Sequence, residues 1–352
     1  MASANSYASP STTGGNREDL RDVLTILEPE QTPVVSAMKK GPGPKATFTE
    51  VLADELATPS TDGQPEGKDI GSFTNKAAKR QRFGNYIQIA TRDFGVSDVQ
   101  MLVDTAAVAN EYDYAKMKTL REMKRDIEAT ICSNNDRQSG NGNDAWKTRG
   151  LFKWTASGRT KGTDVAAGGN VATDQMDRAV AADIPAEYRT PEAQDINAAG
   201  DLTEAKLNGV LQSLFETHSS KKTYMGVFGP EVVEKIDNFT RVENNATSQR
   251  YSINDNAASK TINLEVKVFN SSFGRVNVLP SVFLNHNGTT FDADAGLLLD
   301  LDLLELQYME PLSVHNLDNE GGGPRGYAKT IYSLCCKNPK GLAAIDDGAG
   351  AA

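Results

Sequence analysis

The stretches ATFTEVL at residues 46–52 and FGNYIQIATRDFGV at residues 83–96 flank a tip, residues 59–71, that is rich in Pro, Gly and Asp. Two extended runs around such a breaker predict one long hairpin over Ala46–Val96. Its limbs carry opposite charge. Glu50, Asp54, Glu55, Asp62, Glu66 and Asp69 lie on the outgoing limb. Lys76, Lys79, Arg80, Arg82 and Arg92 lie on the returning limb, where no acid occurs between Ile70 and Arg92. An isolated two-stranded ribbon is marginal in water, and the distal half of this one has few large apolar residues, so it needs a partner surface. Taken alone, the same charges suit a solvated loop equally well, because exposed ion pairs contribute little.

Immediately downstream, Ser97-Asp98 reads as an N-cap, and neither Pro nor Gly follows before Cys132. Met117, Leu120, Met123, Ile127 and Ile131 recur three or four apart, the spacing of one helical face. The expectation is one helix over Ser97–Cys132, about 50 Å long at ~1.5 Å per residue. Its other faces mix acids and bases, and the heptad is not sustained, which argues against a coiled coil.

Upstream, the small polar residues 1–16 bury too little apolar area to offset their ordering entropy and read as a mobile arm. Leu20, Val23, Leu24, Ile26 and Leu27 form a short amphipathic segment, stopped at Pro29 and Pro33, and GPGP at 41–44 forbids helix. Further downstream, SNNDRQSGNGND at 133–144 is a polar breaker, RGLFKW at 149–154 touches a core, and residues 155–200 are soft. Asp201 and Glu204 fit a capping box ahead of a helix with Leu207, Val210, Leu211, Leu214 and Phe215 on its apolar face. A strand at Tyr224–Phe228 leads through Gly229-Pro230 into a helix carrying Val233, Ile236 and Phe239. Ile262, Leu264, Val266 and Val268 alternate as a strand paired with Arg275–Leu279. The runs Leu297–Pro311 and Tyr327–Cys336 read as longer strands around a turn at Gly321–Gly323. The fold class is α+β, with more than one lobe for 352 residues.

The composition excludes several functions. A net charge of -10 releases no counterions from DNA and argues against a sequence-reading DNA binder. Cys132, Cys335 and Cys336 match neither a disulfide framework nor a zinc site and read as buried thiols. No secretory signal and no bilayer-length apolar run is visible, so synthesis in a cytosol and no membrane partner are expected. His218, His286 and His315 stand apart from any serine or cysteine nucleophile, so a triad has no evident base. Asp292-Ala-Asp294-Ala-Gly296 begins like a calcium loop, but Leu303 stands where the bidentate Glu belongs. Asp300 and Asp302 share a face if their run is a strand, the spacing of a carboxylate pair, although alternation with Leu299, Leu301 and Leu303 makes a wetted strand face the better account. Phosphate-cradling, dinucleotide and nucleophile-elbow motifs are lacking, so no catalytic residue, cofactor or metal is expected.

In chain order, REDLRDVLTILEPEQTP (17–33), the charged hairpin, GNYIQIATRDFGVS (84–97), LREMKRDIEAT (120–130), RGLFKW (149–154), DLTEAKLNGVLQSL (201–214) and FGRVNVLP (273–280) together resemble the phage major capsid proteins of the SU-ten type. The resemblance implies the Hong Kong 97-type fold: an N-terminal arm (1–45), an extended loop or E-loop (46–96), a peripheral domain with a spine helix and a loop insertion (97–200), an axial domain (201–284), and return strands with a C-terminal tail (285–352). It implies a non-enzymatic shell subunit that joins copies of itself into pentamers and hexamers around double-stranded DNA without reading its sequence. A portal, and scaffolding or decoration proteins, would be the other partners, with the virion as final location and the host cytoplasm as the place of synthesis. Glu50, Asp54, Glu55, Lys76, Lys79, Arg80 and Arg82 become candidate inter-subunit contacts. Two other readings are an encapsulin-like cellular compartment, which shares the fold, and a soluble hydrolase using acidic residues.

Overall fold

The computed structural model describes residues 31–73, 75–103, 108–158, 180–197, 202–239, 266–286 and 292–346. Within them the chain runs α1 (Pro33–Ala37), β1 (Lys39–Gly41), β2 (Phe48–Ala53), β3 (Gln81–Tyr86), β4 (Gln88–Gly95), α2 (Asp98–Leu102), α3 (Glu111–Ile131) and α4 (Leu151–Trp154). It continues with β5 (Asp195–Asn197), α5 (Glu204–His218), β6 (Lys222–Phe228), α6 (Pro230–Asn238), β7 (Val268–Asn270), β8 (Gly274–Pro280), β9 (Ala295–Leu299), β10 (Leu304–Leu317), β11 (Arg325–Cys336) and β12 (Ala343–Asp346).

Among the described residues three sheets result: β1-β10-β11-β4, β5-β12-β9-β6-β8-β7, and the two-stranded ribbon β2-β3. The run AGLLL at β9 is buried at every residue, as expected for a strand covered on both faces. Leu297 and Leu299 point into a core shared with α3, α4, the ribbon base and the four-stranded sheet. Leu298 points the other way, into a second core built by α5 and α6. The period of two thus places one strand between two cores.

The expected helix over Ser97–Cys132 is two helices. Ser97 caps α2 as read from the sequence, accepting from the Gln100 N–H at 3.3 Å. Val103 is then extended, and a new cap opens at Asn110, whose side chain accepts from the N–H groups of Tyr112 and Asp113. Propensity without Pro or Gly permits a continuous helix, but a second strong N-cap ends that freedom. The 21 residues of α3 span about 31 Å at ~1.5 Å each. Its buried face carries Met123, Ile127 and Ile131, while Met117, expected on that face, is exposed.

Other differences are local. Helix α5 is capped by Thr203, which accepts from the Lys206 N–H, so Glu204 is its first residue and not the far side of a capping box. Leu297–Pro311 is not one strand: it is β9, a turn, and the start of β10 in another sheet. The turn forms because the Asp300 carboxylate accepts from the Asp302 N–H at 3.0 Å and binds the Lys222 ammonium at 2.5 Å. Asp300 is therefore buried and Asp302 exposed beside Lys39, so the two acids share no strand face. The expected amphipathic segment at 20–27, the arm at 1–16 and the strand positions Ile262 and Leu264 lie outside the described residues.

The chain entering the body is fixed by a buried carboxylate. Glu128, inside α3 and fully buried, accepts from the Val34 N–H at 2.9 Å and the Val35 N–H at 2.8 Å. These are unpaired donors of the first turn of α1, and Val34 and Met38 pack into the same core. Burial holds the Glu128 carboxyl above the usual carboxylate range, against the pull of its two N–H partners. Glu128→Ala is expected to destabilise the dissociated subunit by about 2–4 kcal/mol, since it orphans one buried and one half-buried donor. Urea denaturation measures it.

Candidate functional site

The charged hairpin is a ribbon only over its proximal part: Phe48 pairs with Tyr86 and Ala53 with Gln81, and the described residues of 54–80 contain no strand. Beyond Ile87 the returning strand leaves the ribbon and becomes β4, paired to β11 from Gln88↔Tyr332 to Gly95↔Arg325. At this change of partner Asn85 is buried, and its side chain lies within hydrogen-bond distance of five groups, two of which share one amide hydrogen. Its amide nitrogen donates to Thr148 Oγ1 and to the carbonyls of Arg149 and Leu334, and its oxygen accepts from the N–H groups of Arg149 and Tyr86. Arg137 donates to the Gly84 carbonyl at 2.8 Å and lies over the rings of Phe48 and Tyr86. A Cβ at Gly84 would stand 2.2 Å from the Thr49 carbonyl oxygen, so the two limbs close only around glycine.

The candidate contact residues meet one another within the chain. Arg82 faces Glu50 at 3.9 Å, Arg80 binds Asp54 at 3.3 Å through both Nε and Nη2, and Lys79 faces Glu55 at 3.8 Å. Lys340 also binds Glu55 at 3.1 Å, and the Tyr188 hydroxyl donates to the Lys79 carbonyl, so the body clasps the middle of the ribbon. Burial, followed by the charges of Asp54, Glu55 and Glu187, pushes the Tyr188 phenol up. The proximal ribbon therefore rests on its own body, and Ala53 and Phe83 join the core. Opposite charge on the two limbs was legible, but its use within the ribbon required the register. Lys76 stands apart, exposed on a single turn at Lys76–Lys79 that Asn75 caps.

The distal ribbon is different. Leu56, Ile70 and Phe73 are 93%, 76% and 91% exposed. Sequence reasoning passed over them because each stands alone among small and polar neighbours. A helix presents the same kind of surface: α2 buries no residue, and Val99, Leu102 and Val103 are 71%, 87% and 54% exposed.

Catalytic arrangements fare poorly. Ser313 Oγ does lie 3.0 Å from His315 Nε2, a neighbour the sequence reading missed because the two residues share one strand face. Glu310 approaches that same nitrogen at 3.4 Å, and Lys329 holds Glu310 at 2.9 Å. A relay needs serine and acid on opposite ring nitrogens. His286 is fully buried edge-on to Phe152. Among the described residues no group of three or more His, Cys, Asp or Glu is placed to hold a metal. The three thiols are buried and reduced, and burial pushes Cys335 up to about 11.

A model of the SU10 major capsid protein family matches residues 5–349. The chain belongs to that family. It is a major capsid protein of a tailed phage, from a structural family and not a family of enzymes. No curated protein matches this capsid protein in sequence. Solved structures do match it in fold. A capsid structure of the cyanophage P-SCSP1u aligns with TM-score 0.57 at 13% identity, over 97% of this chain and 98% of that one. Gordonia phage Cozz aligns at 0.56 and 13%, over 99% and 97%. The capsid of an empty GTA particle aligns at 0.57 and 13%, over 98% and 100%. At such identities the likeness establishes a mixed helix-and-strand fold shared with capsid proteins.

One acidic group of this capsid protein gives a pH-dependent prediction. Burial, then the charges of Asp346, Asp292 and Glu231, push the Asp294 carboxyl up to about 6. A carboxyl raised in the folded state favours the neutral form, so its effect is stabilising in acid and is lost as pH rises from about 4 to about 6. Asp294→Asn is expected to stabilise the subunit at about pH 7 by about 1 kcal/mol after solvent screening, with no gain below about pH 4. Denaturation curves at the two pH values test this.

Proposed function

We propose that copies of this chain close into an icosahedral or prolate shell of Hong Kong 97 type around double-stranded DNA, as pentamers and hexamers. In this reading residues 1–45 are the arm, 46–96 the E-loop, 97–200 the peripheral domain with α3 as spine helix, and 201–284 most of the axial domain, with β10 and β11 returning to the peripheral domain. A portal, and scaffolding or decoration proteins, complete the particle, which is made in the host cytoplasm. The observation that carries the reading is the exposed apolar tip of the ribbon, Leu56, Ile70 and Phe73, held away from the body by a fixed base. A lone subunit gains nothing by wetting those side chains, and a neighbouring copy can cover them. The net charge of -10 suits a container that must not adhere to the DNA it holds.

The cis pairs of Arg80 and Arg82 keep the limbs in register, so the tip is presented in one direction. Each exposed pair contributes under about 1 kcal/mol, but a closed shell repeats the presentation in every copy. Arg80→Glu with Arg82→Glu sets acids opposite Asp54 and Glu50. The expected result is a folded subunit with loss of shells in electron micrographs, and partial recovery when Glu50→Arg and Asp54→Arg are added. Normal particles from the double variant would refute the role given to this limb.

A further inference from the structure

We propose that the Asn141-Gly142 bond is a self-modifying site, at which the folded chain converts Asn141 to aspartyl and isoaspartyl residues without an enzyme or cofactor. The chain holds three Asn-Gly pairs, Asn141-Gly142, Asn208-Gly209 and Asn287-Gly288, of which the last lies outside the described residues. Glycine lacks the Cβ that hinders other residues' amide nitrogens from approaching the preceding side chain. By sequence the three pairs are equal, but the fold separates the two that it describes.

Residues 138–147 form a small closed loop. Gln138 and Lys147 exchange both backbone hydrogen bonds at 3.1 Å, and the Asn141 N–H donates to the Asp144 carbonyl at 3.3 Å. Within the loop, Asn141 Oδ1 accepts from the Asp144 N–H at 3.0 Å and from the Asn143 N–H at 3.3 Å. These bonds fold the side chain forward over its own backbone, which brings Cγ toward the Gly142 nitrogen. Two N–H groups on one carbonyl oxygen also stabilise the charge that develops there when the carbon is attacked. Among the described residues no group accepts from the Gly142 N–H or from Asn141 Nδ2, so the nucleophile is open to solvent base and the leaving group to water. Gly142 has φ 43°, no group beyond its chain neighbours lies within 4 Å of a Cβ built there, and residues 141–144 are exposed.

The reaction balances with water as its only co-reactant. The Gly142 nitrogen loses its proton to solvent and bonds to Asn141 Cγ, the Cγ–Nδ2 bond breaks, and Nδ2 takes up a proton and leaves as ammonia, which gives a cyclic succinimide. Water then opens the ring at Cγ to give aspartate, or at the main-chain carbonyl carbon of Asn141 to give isoaspartate, in which the backbone runs through Cβ and Cγ. Either product adds a carboxylate beside Asp144, and isoaspartate also lengthens the loop. The loop touches the ribbon's base, since Trp146 packs on Tyr86 at 5.5 Å between ring centroids and Arg137, just before the loop, lies over the same ring. Asn208-Gly209 is the comparison inside the same chain: it lies within α5, where helical geometry turns the Gly209 N–H back toward the preceding turn and away from the Asn208 side chain.

Timed incubation of the purified full-length protein at about pH 8, followed by tryptic digestion and mass spectrometry, tests the site against a zero-time digest. Cleavage after Arg137 and Lys147 releases residues 138–147, and cleavage after Lys206 and Lys221 releases residues 207–221 with the comparison pair. The converted peptide is about 1 Da heavier and separates by chromatography into two products of equal mass. A synthetic peptide of residues 138–147, incubated in parallel, gives the rate without the fold. Asn141 in the native protein is expected to convert about threefold or more faster than in the free peptide, while Asn208 stays intact until the protein is denatured. A native rate at or below that of the free peptide, or equal conversion at Asn208, would overturn the assignment. Gly142→Ala is expected to slow conversion by about tenfold or more, and undiminished product from that variant would overturn it as well.

Discussion

A strand that leaves one sheet to enter another must exchange its hydrogen-bonding partners, and during that exchange its backbone has no ladder to satisfy it. In this chain the exchange falls at residues 85–88, where the returning limb of the ribbon becomes the edge strand β4. The side chain of Asn85 supplies what the ladder cannot, reaching three separate segments around Thr148, Arg149 and Leu334. The Ser333 hydroxyl takes up the Tyr86 carbonyl, the Thr47 carbonyl accepts from the Ile87 N–H, and the Gln88 side chain accepts from the Thr148 N–H. Because every one of these groups is satisfied, the ribbon leaves the body in a defined direction, and what its far end presents is a property of the fold.

That division explains the distribution of interactions along the ribbon. Near the base, burial does the holding, with Phe83 against Trp154 and Tyr188 and the Arg137 guanidinium over two rings. In the middle, exposed ion pairs line up the limbs at little net gain. At the tip neither operates, and apolar side chains meet water. Cohesion therefore falls steadily from base to tip, the reverse of what an independently folding lobe would show.

Much of this was legible in the sequence because short-range rules govern it. The paired base of the hairpin, the Ser97 cap, the helical face through Met123, Ile127 and Ile131, the core contact of RGLFKW and the glycine turn at 321–323 all follow from spacing or backbone freedom, and each stands in the structure. What failed depended on one local cap passed over and on long-range competition. Nothing local distinguishes a continuous helix over 97–132 from two helices until Asn110 is recognised as a cap. The run LLLDLDLLELQYMEP alternates well enough for one strand, yet Lys222, from a distant segment, draws Asp300 inward and turns the chain. The pairing of Glu50, Asp54 and Glu55 with Arg82, Arg80 and Lys79 needed the strand register, which charge order alone does not fix.

The turn at Asp300–Leu303 has a mechanical meaning. It ends β9, the strand between the two cores, and begins β10, which carries the four-stranded sheet, and it is pinned on both sides by Lys222 and by the Lys337 N–H bound to the Leu303 carbonyl. So short and braced a coupling transmits torque without slack, so the two layers turn as one piece. Four residues of chain, one ion pair and one backbone bond thus join the sheet between the two cores to the sheet that carries the ribbon's base.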